Sequence, residues 1–414
     1  VSQVLDFNAA SNILKQRYET DEVETEFVKD HPAVADVPKE EDAGGDAFNI
    51  AIKYAVMSTR AVTVPLALAN GSPDQYGKFN IPNLYNDFAV MQVGGQALDA
   101  AQRGGSDSMV KLASETLDGG YLAAYDSLAN SMFGNGGGSR AQLSSTSSVS
   151  TATITLADAQ SALKFWPGMV IQASSDDGTG GAGVRSGSVT IVGVDPIAGT
   201  LTASGNWNSG ISAIAASDYL FMIGDYNSIF TGYAGWIPQP GTTITSTAFF
   251  GQDRTKNTVG LAGWRYAGNG AAYEDTIAQL VAMVCQYGGK PDRCYVSPLD
   301  FVQIAKQQSA KVIFDRASAP AFSRPNLQFE ALTFITPKGK MEIVSDAYCP
   351  TGHFFVLTMN SWKLYSNGKI CRPVNNWIGQ MWLPSYTDDV MQSRIVSRAF
   401  LGCKSPGYNG HGTF

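Results

Sequence analysis

Apolar and polar positions alternate along residues 47–66, where Phe48, Ile50, Ile52 and Tyr54 are followed by Val62 and Val64. A period of two predicts strand. The turn formers Asn70-Gly-Ser-Pro-Asp-Gln-Tyr-Gly77 come next, and a second extended segment returns through Phe79, Ile81, Phe88, Val90, Met91 and Val93. The pattern predicts a long two-stranded excursion with a polar tip. An isolated hairpin is marginal in water, so it must lean on another surface. The spacing changes to three and four over 107–133, where Met109, Leu112, Thr116 or Leu117, Tyr121, Ala124, Leu128 and Met132 form one stripe. Ser106 or Asp107 can cap this helix and Gly134 lies just past it. At 1.5 Å per residue it is a rod of roughly 40 Å. Gly119 and Gly120 in its middle cost about 1 kcal/mol each relative to alanine. Their presence predicts a close crossing by another chain segment.

The pattern then dissolves into a Gly/Ser-rich linker over 134–150. Residues 151–223 carry short runs of β-branched residues at 151–156, 169–172, 189–194 and 200–203, with turns at Asp176-Asp-Gly-Thr-Gly-Gly and Asp195-Pro-Ile-Ala-Gly. They predict a small β-barrel or sandwich. Beyond Asp225 the chain is mixed. A helix is expected over 273–287, with Ile277, Leu280, Val281 and Val284 on one face and Gly288-Gly289 ending it. Ser297-Pro-Leu-Asp300 reads as a capped start for a helix to about Gln308. Strands follow at 332–335, 341–344, 354–357 and 362–365, then a last strand at 391–401 and a Gly-rich tail. The first 50 residues read as extended, because His31-Pro32 and Val37-Pro38 bias the preceding residues away from helix; a short helix near 12–17 is compatible with the pattern.

Composition fits a folded chain, with 44% hydrophobic and 16% charged residues, and 414 residues suggest more than one core. Many glycines (43) beside few charges point to turns, strands and surface hidden in an assembly. The net charge of −7 is unevenly placed: residues 1–50 hold 12 acids and 4 bases, the remainder 24 acids and 25 bases. This is not the basic footprint of a nucleic-acid binder. The acidic run at 19–26 reads either as a solvated strip or as an arm that pairs with basic residues of a neighbour. Five scattered cysteines without a C-x-x-C pair predict reduced thiols. No apolar run reaches the ~20 residues of a membrane span, and the start lacks a signal-peptide pattern.

Catalytic chemistry leaves no trace in the spacings. His31, His353 and His411 lie far apart in the chain, with His411 in the tail, and no metal-ligand pattern accompanies them. His353, beside Gly352 and two phenylalanines, reads as a satisfied turn histidine. The segment from Gly71 to Lys78 superficially resembles a phosphate loop, but it is one residue too long and Phe79 stands where a magnesium-binding hydroxyl is required. No catalytic, cofactor-binding or metal-binding residue is therefore assigned, and no cofactor is expected.

Several segments, taken in order, resemble the major capsid proteins of tailed bacteriophages with the Hong Kong 97-type fold. They are Val37-Pro-Lys-Glu-Glu-Asp-Ala-Gly-Gly45, the strand pattern FAVMQVGGQAL from Phe88 to Leu98, and the helix end Met132-Phe-Gly-Asn-Gly-Gly. The series continues with Gly224-Asp-Tyr-Asn-Ser-Ile-Phe-Thr-Gly-Tyr-Ala-Gly-Trp-Ile-Pro238, Asp253-Arg254 with Leu261-Ala-Gly-Trp-Arg265, and Gly288-Gly-Lys-Pro-Asp292 before Val296-Ser-Pro298.

The resemblance implies an α+β chain with an N-terminal arm (1–50), an extended E-loop (51–97), a peripheral domain with a spine helix (98–143), an inserted β-barrel on the outer surface (144–223), an axial domain (224–385) and a return to the peripheral domain with the C-terminal tail (386–414). It implies a non-enzymatic subunit that self-assembles as hexamers and pentamers into an icosahedral or prolate head around double-stranded DNA. Scaffolding, portal and decoration proteins are the expected partners; DNA is touched only non-specifically, and no membrane is involved. The expected location is the virion capsid, assembled in the bacterial host cytoplasm. Some members of the family crosslink through a Lys–Asn isopeptide bond promoted by a Glu. Lys78 with Asn375 or Asn376 are conceivable partners, but no Glu follows Glu342, so shells without crosslinks are expected. The alternative is another phage structural protein, or a secreted surface adhesin whose β insert binds carbohydrate.

Overall fold

A computed structural model describes residues 31–43, 47–69, 71–81, 85–94, 112–309, 332–374, 382–384 and 389–414. The acidic run at 19–26, the possible helix at 12–17, the caps Ser106 and Asp107, and Asn375 and Asn376 lie outside the described residues. The chain divides into two compact units. The larger holds 30–86, 128–368 and 398–414, and the smaller draws on 87–127 and 369–397.

In the larger unit a mixed six-stranded sheet runs in the order Trp264–Ala267, Gly410–Thr413, His353–Leu357, Arg293–Val296, Gly339–Ser345, Leu332–Thr336. Helix Tyr273–Tyr287 forms where its apolar stripe is expected, and it buries Ile277, Leu280, Val281 and Val284. Ile277, Leu280 and Val281 pack with Cys294, Val296, Ile343 and Phe354 of the sheet. Gly288 ends the helix in the left-handed region (φ 109), a conformation an L side chain rarely adopts. The next helix, Pro298–Ser309, starts on a reciprocal cap: the Asp300 amide donates to Ser297 Oγ (3.2 Å), and that hydroxyl donates to the Asp300 carboxylate (2.7 Å).

The glycine-rich end of the chain corrects the sequence reading. Residues 410–413 form a strand inside this sheet, parallel to Trp264–Ala267 and antiparallel to His353–Leu357, instead of a tail. Missing side chains are what admit it. A Cβ on Gly412 would lie 2.1 Å from the Phe354 ring, and one on Gly410 would meet Leu280 at 2.8 Å.

Residues 141–222 form a second six-stranded sheet in the order Ala141–Gln142, Tyr219–Met222, Val170–Ser174, Val189–Asp195, Thr200–Ala203, Thr153–Thr155. Its two ends meet through a Leu143–Leu156 bridge and bonds from Ser144 N to Thr155 O and Ala157 N to Gln142 O, so the sheet closes on itself. Closure removes the open edges of the sheet. Ile171, Leu201, Trp207 and Leu220 are among the fully buried side chains that fill it, and Trp207 Nε1 donates to Ala152 O (2.9 Å). The stretch from Gly136 to Gly138 before this barrel is packed, not a loose linker. Gly137 and Gly138 sit against the backbone oxygens of Asp177 and Asp225, where a Cβ would approach to 2.0 and 2.2 Å.

The expected ribbon exists but is shorter. Phe48–Ala55 pairs antiparallel with Gln75–Ile81. Val62 and Val64 do not extend its first strand, because Val64–Ala69 is a short helix in which Pro65 lies in the first turn, where its missing N–H costs nothing. The segment Tyr85–Gly94 is not the ribbon's return leg either; it pairs with strand Val390–Cys403. Residues 32–36, expected to be extended, form one helical turn with Pro32 at its start.

In the smaller unit Met91, Ala124, Cys371 and Ile395 form a buried cluster, with Leu117, Tyr121 and Trp382 against it. The long helix is described over Leu112–Phe133. Its glycine pair separates into two cases. A Cβ on Gly120 would lie 2.2 Å from Met91 Sδ, the close crossing expected, whereas Gly119 has open space.

Candidate assembly surfaces

The ribbon is anchored at its base and free at its tip. Ile50, Phe79 and Ile81 are buried, Phe79 meets Trp236 edge-on (5.0 Å), and Phe48 packs on Tyr365 (4.3 Å). Asn257 Nδ2 donates to Tyr54 O (2.9 Å), the last tie before the tip. Beyond it, Asp74 organises the turn, accepting from Lys53 Nζ (2.6 Å) and Met57 N (2.6 Å). The Lys53 ammonium beside it holds the Asp74 carboxyl below its ordinary range.

The tip is apolar, contrary to the polar tip expected. Val62 is 99% exposed, Leu68 80% and Val64 72%, with Val56, Met57 and Leu66 also exposed. Met57, Val64, Ala67, Leu68 and Pro73 line a hollow of about 510 Å³ in it. The turn signal Asn70–Gly77 was legible, but the preceding Ala-Val-Thr-Val-Pro-Leu-Ala-Leu-Ala carries the apolar surface and read as strand. Lys78 is exposed within the second strand, opposite Ala51, and not at the tip.

Residues 32–43 clasp the body of the larger unit. Ala33 N donates to Asp346 (3.2 Å), and the Asp36 carboxylate accepts from Arg293 Nε (3.1 Å) and Tyr295 OH (2.9 Å). Arg293 also pairs with Glu342. Lys39–Glu40 adds a parallel strand to Trp362–Ser366, and Lys363 pairs with Glu40 (2.7 Å).

The histidines remote in sequence include two that meet. His353 and His411 lie on paired strands, with His353 Nδ1 3.0 Å from His411 Nε2. His411 Nδ1 is 3.0 Å from Ile237 O, and a carbonyl only accepts, so that nitrogen carries the hydrogen. His411 Nε2 is then the acceptor for His353 Nδ1–H. Burial, then the neighbouring His353, push the His411 imidazole down to about 3 against the opposing Ile237 and Pro238 carbonyls. Among the described residues no group of three His, Cys, Asp or Glu side chains could hold a metal. Gly71–Lys78 leads into a strand, not a helix. No described helix is long and apolar enough to cross a membrane.

A cleft of about 660 Å³ runs past Asn135, Arg140, Asp158, Lys164, Arg254 and His353. Arg254 lies over the Phe249 ring (3.9 Å), and its Nη1 donates to Gly235 O (3.1 Å) and Trp236 O (3.4 Å). Arg265 Nη1 donates to Thr242 O (2.6 Å). Burial, then the neighbouring Arg265 charge, push the Arg254 guanidinium down to about 10.

Residues 231–373 match the family described as SU10 major capsid protein. No curated protein matches the chain. Among solved structures the chain is similar to the cyanophage A-1(L) capsid asymmetric unit, at 11% identity and TM-score 0.58, over 97% of this chain and 96% of that one. It also aligns with the capsid of a native GTA particle (10%, 99% and 98%, TM-score 0.49) and with Mycobacterium phage Bobi (10%, 99% and 98%, TM-score 0.44). The matched family region contains five of the six strands of the central sheet and both helices packed near it, and the end-to-end likeness to the cyanophage capsid gives the fold. The chain has the α+β, Hong Kong 97-type fold of phage capsids, and its residues 231–373 are similar to the SU10 major capsid protein family.

Proposed function

We propose that the subunit closes into a head shell of hexamers and pentamers around double-stranded DNA, and that the ribbon 48–81 of each copy lies on a neighbour. The observation that carries this reading is the ribbon's tip. Side chains as apolar as Val62 and Leu68, almost wholly exposed on a two-stranded arm, gain stability only when another surface covers them. At about 25 cal/mol per Å² of apolar area removed from water, covering several such residues contributes a few kcal/mol per contact, repeated around every ring. Heterologous contacts that close into rings are what a shell needs.

In this reading residues 1–50 act as an arm, 98–143 with the return 386–414 as the peripheral domain, 224–385 as the axial domain, and 144–223 as an inserted barrel on the outer surface. The subunit has no enzymatic role. It assembles in the host cytoplasm with scaffolding, portal and decoration proteins, and its contact with DNA is non-specific. Replacing Val62, Leu66 and Leu68 together by serine tests the tip. The expected result is a folded, unassembled subunit with an unchanged melting curve; electron micrographs showing normal shells would sink the proposal.

A further inference from the structure

Arg254 and Arg265 form an uncompensated pair of cations. Neither makes an ion pair with a carboxylate among the described residues. Their bonds go to backbone oxygens of the helical turn Tyr233–Trp236 and the segment after it, at Gly235, Trp236 and Thr242, through one nitrogen of each guanidinium. The nearest acid in sequence, Asp253, turns one carboxylate oxygen to the amide (2.9 Å) and hydroxyl (2.6 Å) of Thr255 and forms no ion pair with either arginine. Arg254, Phe249, Gly235 and Thr242 line the 660 Å³ cleft, so the site opens to solvent at Arg254, while Arg265 is half-buried beside Thr242. Two like charges, each half-buried and bonded to the same stretch 235–242, cost free energy unless a countercharge arrives. A guanidinium stacked on an aromatic ring is held flat, with its remaining N–H groups in the fork that matches an oxyanion.

We propose that Arg254 and Arg265 are a receiving site for an oxyanion, and that in the shell this is a carboxylate of a second copy of the chain. The proposal rests on the shell reading above. Charge complementarity favours this occupant: the chain carries 36 acids against 29 bases, so every neighbour brings surplus carboxylates. Phosphate of packaged DNA offers the same chemistry and is the competing source.

The experiment uses shells assembled from an equal mixture of isotopically light and heavy Arg265→Lys subunits. A water-soluble carbodiimide then joins amines to adjacent carboxylates, forming an amide while the reagent takes up the water as a urea. Expected is a mixed light–heavy peptide joining position 265 to an Asp or Glu of another copy. Links from position 265 only within one copy, or none while other lysines react, would overturn the proposal. As a second arm, Arg265→Gln is expected to leave the melting temperature of the unassembled subunit unchanged and weaken association about five- to tenfold. Normal shells from Arg265→Gln that retain less DNA would assign the site to nucleic-acid phosphate and overturn the carboxylate. Wild-type subunits that never form shells would instead bring down the assembly reading itself.

Discussion

At the scale of single residues, the larger unit is centred on Tyr233, fully buried among Phe133, Tyr295, Phe355 and Trp362. Its hydroxyl makes no hydrogen bond among the described residues, and burial holds the phenol well above its ordinary range. An unsatisfied buried donor costs about 1–3 kcal/mol. Tyr233→Phe should therefore leave stability unchanged or raise it by about 1 kcal/mol; a clear loss in denaturant unfolding would mean that the hydroxyl has a role. The His353–His411 couple predicts a pH dependence. Burial, first among its causes, lowers the His353 imidazole, with Asp300 and Asp158 raising it and Lys164 lowering it. Both rings are thus less basic folded than unfolded, and the unfolded chain binds more protons below about pH 6.5. Their contribution is complete above that value and is lost as pH falls toward about 3, the value at His411. Between pH 6.5 and 5, above most carboxylate titration, stability should fall with pH, and His411→Gln should flatten that slope. Equal slopes in the two proteins would refute the assignment.

Single elements depend on a few enforced contacts. In the barrel, Arg185 meets Asp218 through Nε (2.6 Å) and Nη2 (2.8 Å), and the Ala215 amide donates to the same carboxylate (2.7 Å). Asp218 is 3% exposed. Asp218→Ala leaves the guanidinium without its buried partner and should cost about 3–5 kcal/mol, read from the shift of the unfolding midpoint. In the central sheet the strand Gly410–Thr413 is the sole hydrogen-bonded neighbour of Trp264–Ala267 among the described strands. Gly412→Ala drives a methyl into the Phe354 ring and should destabilise by about 1–3 kcal/mol. A wild-type melting curve from that variant would show that the ring can move aside.

At the scale of the whole molecule, the assembly is expected to be held without covalent links. Lys78 lies in the paired part of the ribbon, and the sequence has no Glu after position 342. Shells boiled in detergent should run as one band near the 44.1 kDa subunit mass; a ladder of multiples would contradict this. Net charge also acts at this scale. Exposed ion pairs between copies are screened at molar salt, whereas the apolar ribbon tips are not, so shells held mainly by the tips should survive high salt.

What the sequence determined by itself was whatever a short stretch decides. Helix Tyr273–Tyr287 was legible to the residue, because its apolar stripe and Gly288 lie within one segment. The Ser297–Asp300 cap and the strands at 170–174, 189–195 and 200–203 were legible for the same reason. Tertiary structure alone decided features made by partners far apart in the chain. Gly410–Thr413 has no strand signal, and becomes a strand because Phe354 and Leu280 fill the space its side chains would need. His353 meets His411, and Arg254 and Arg265 both bond to backbone oxygens of residues 235–242, only through strand order and packing. The apolar tip is intermediate: its residues were in view, but their exposure depends on a helical turn at Val64–Ala69 standing where no other described part of the chain covers it. Local preference selects elements over a few residues. Which surfaces remain uncovered is settled only when those elements compete for the same core.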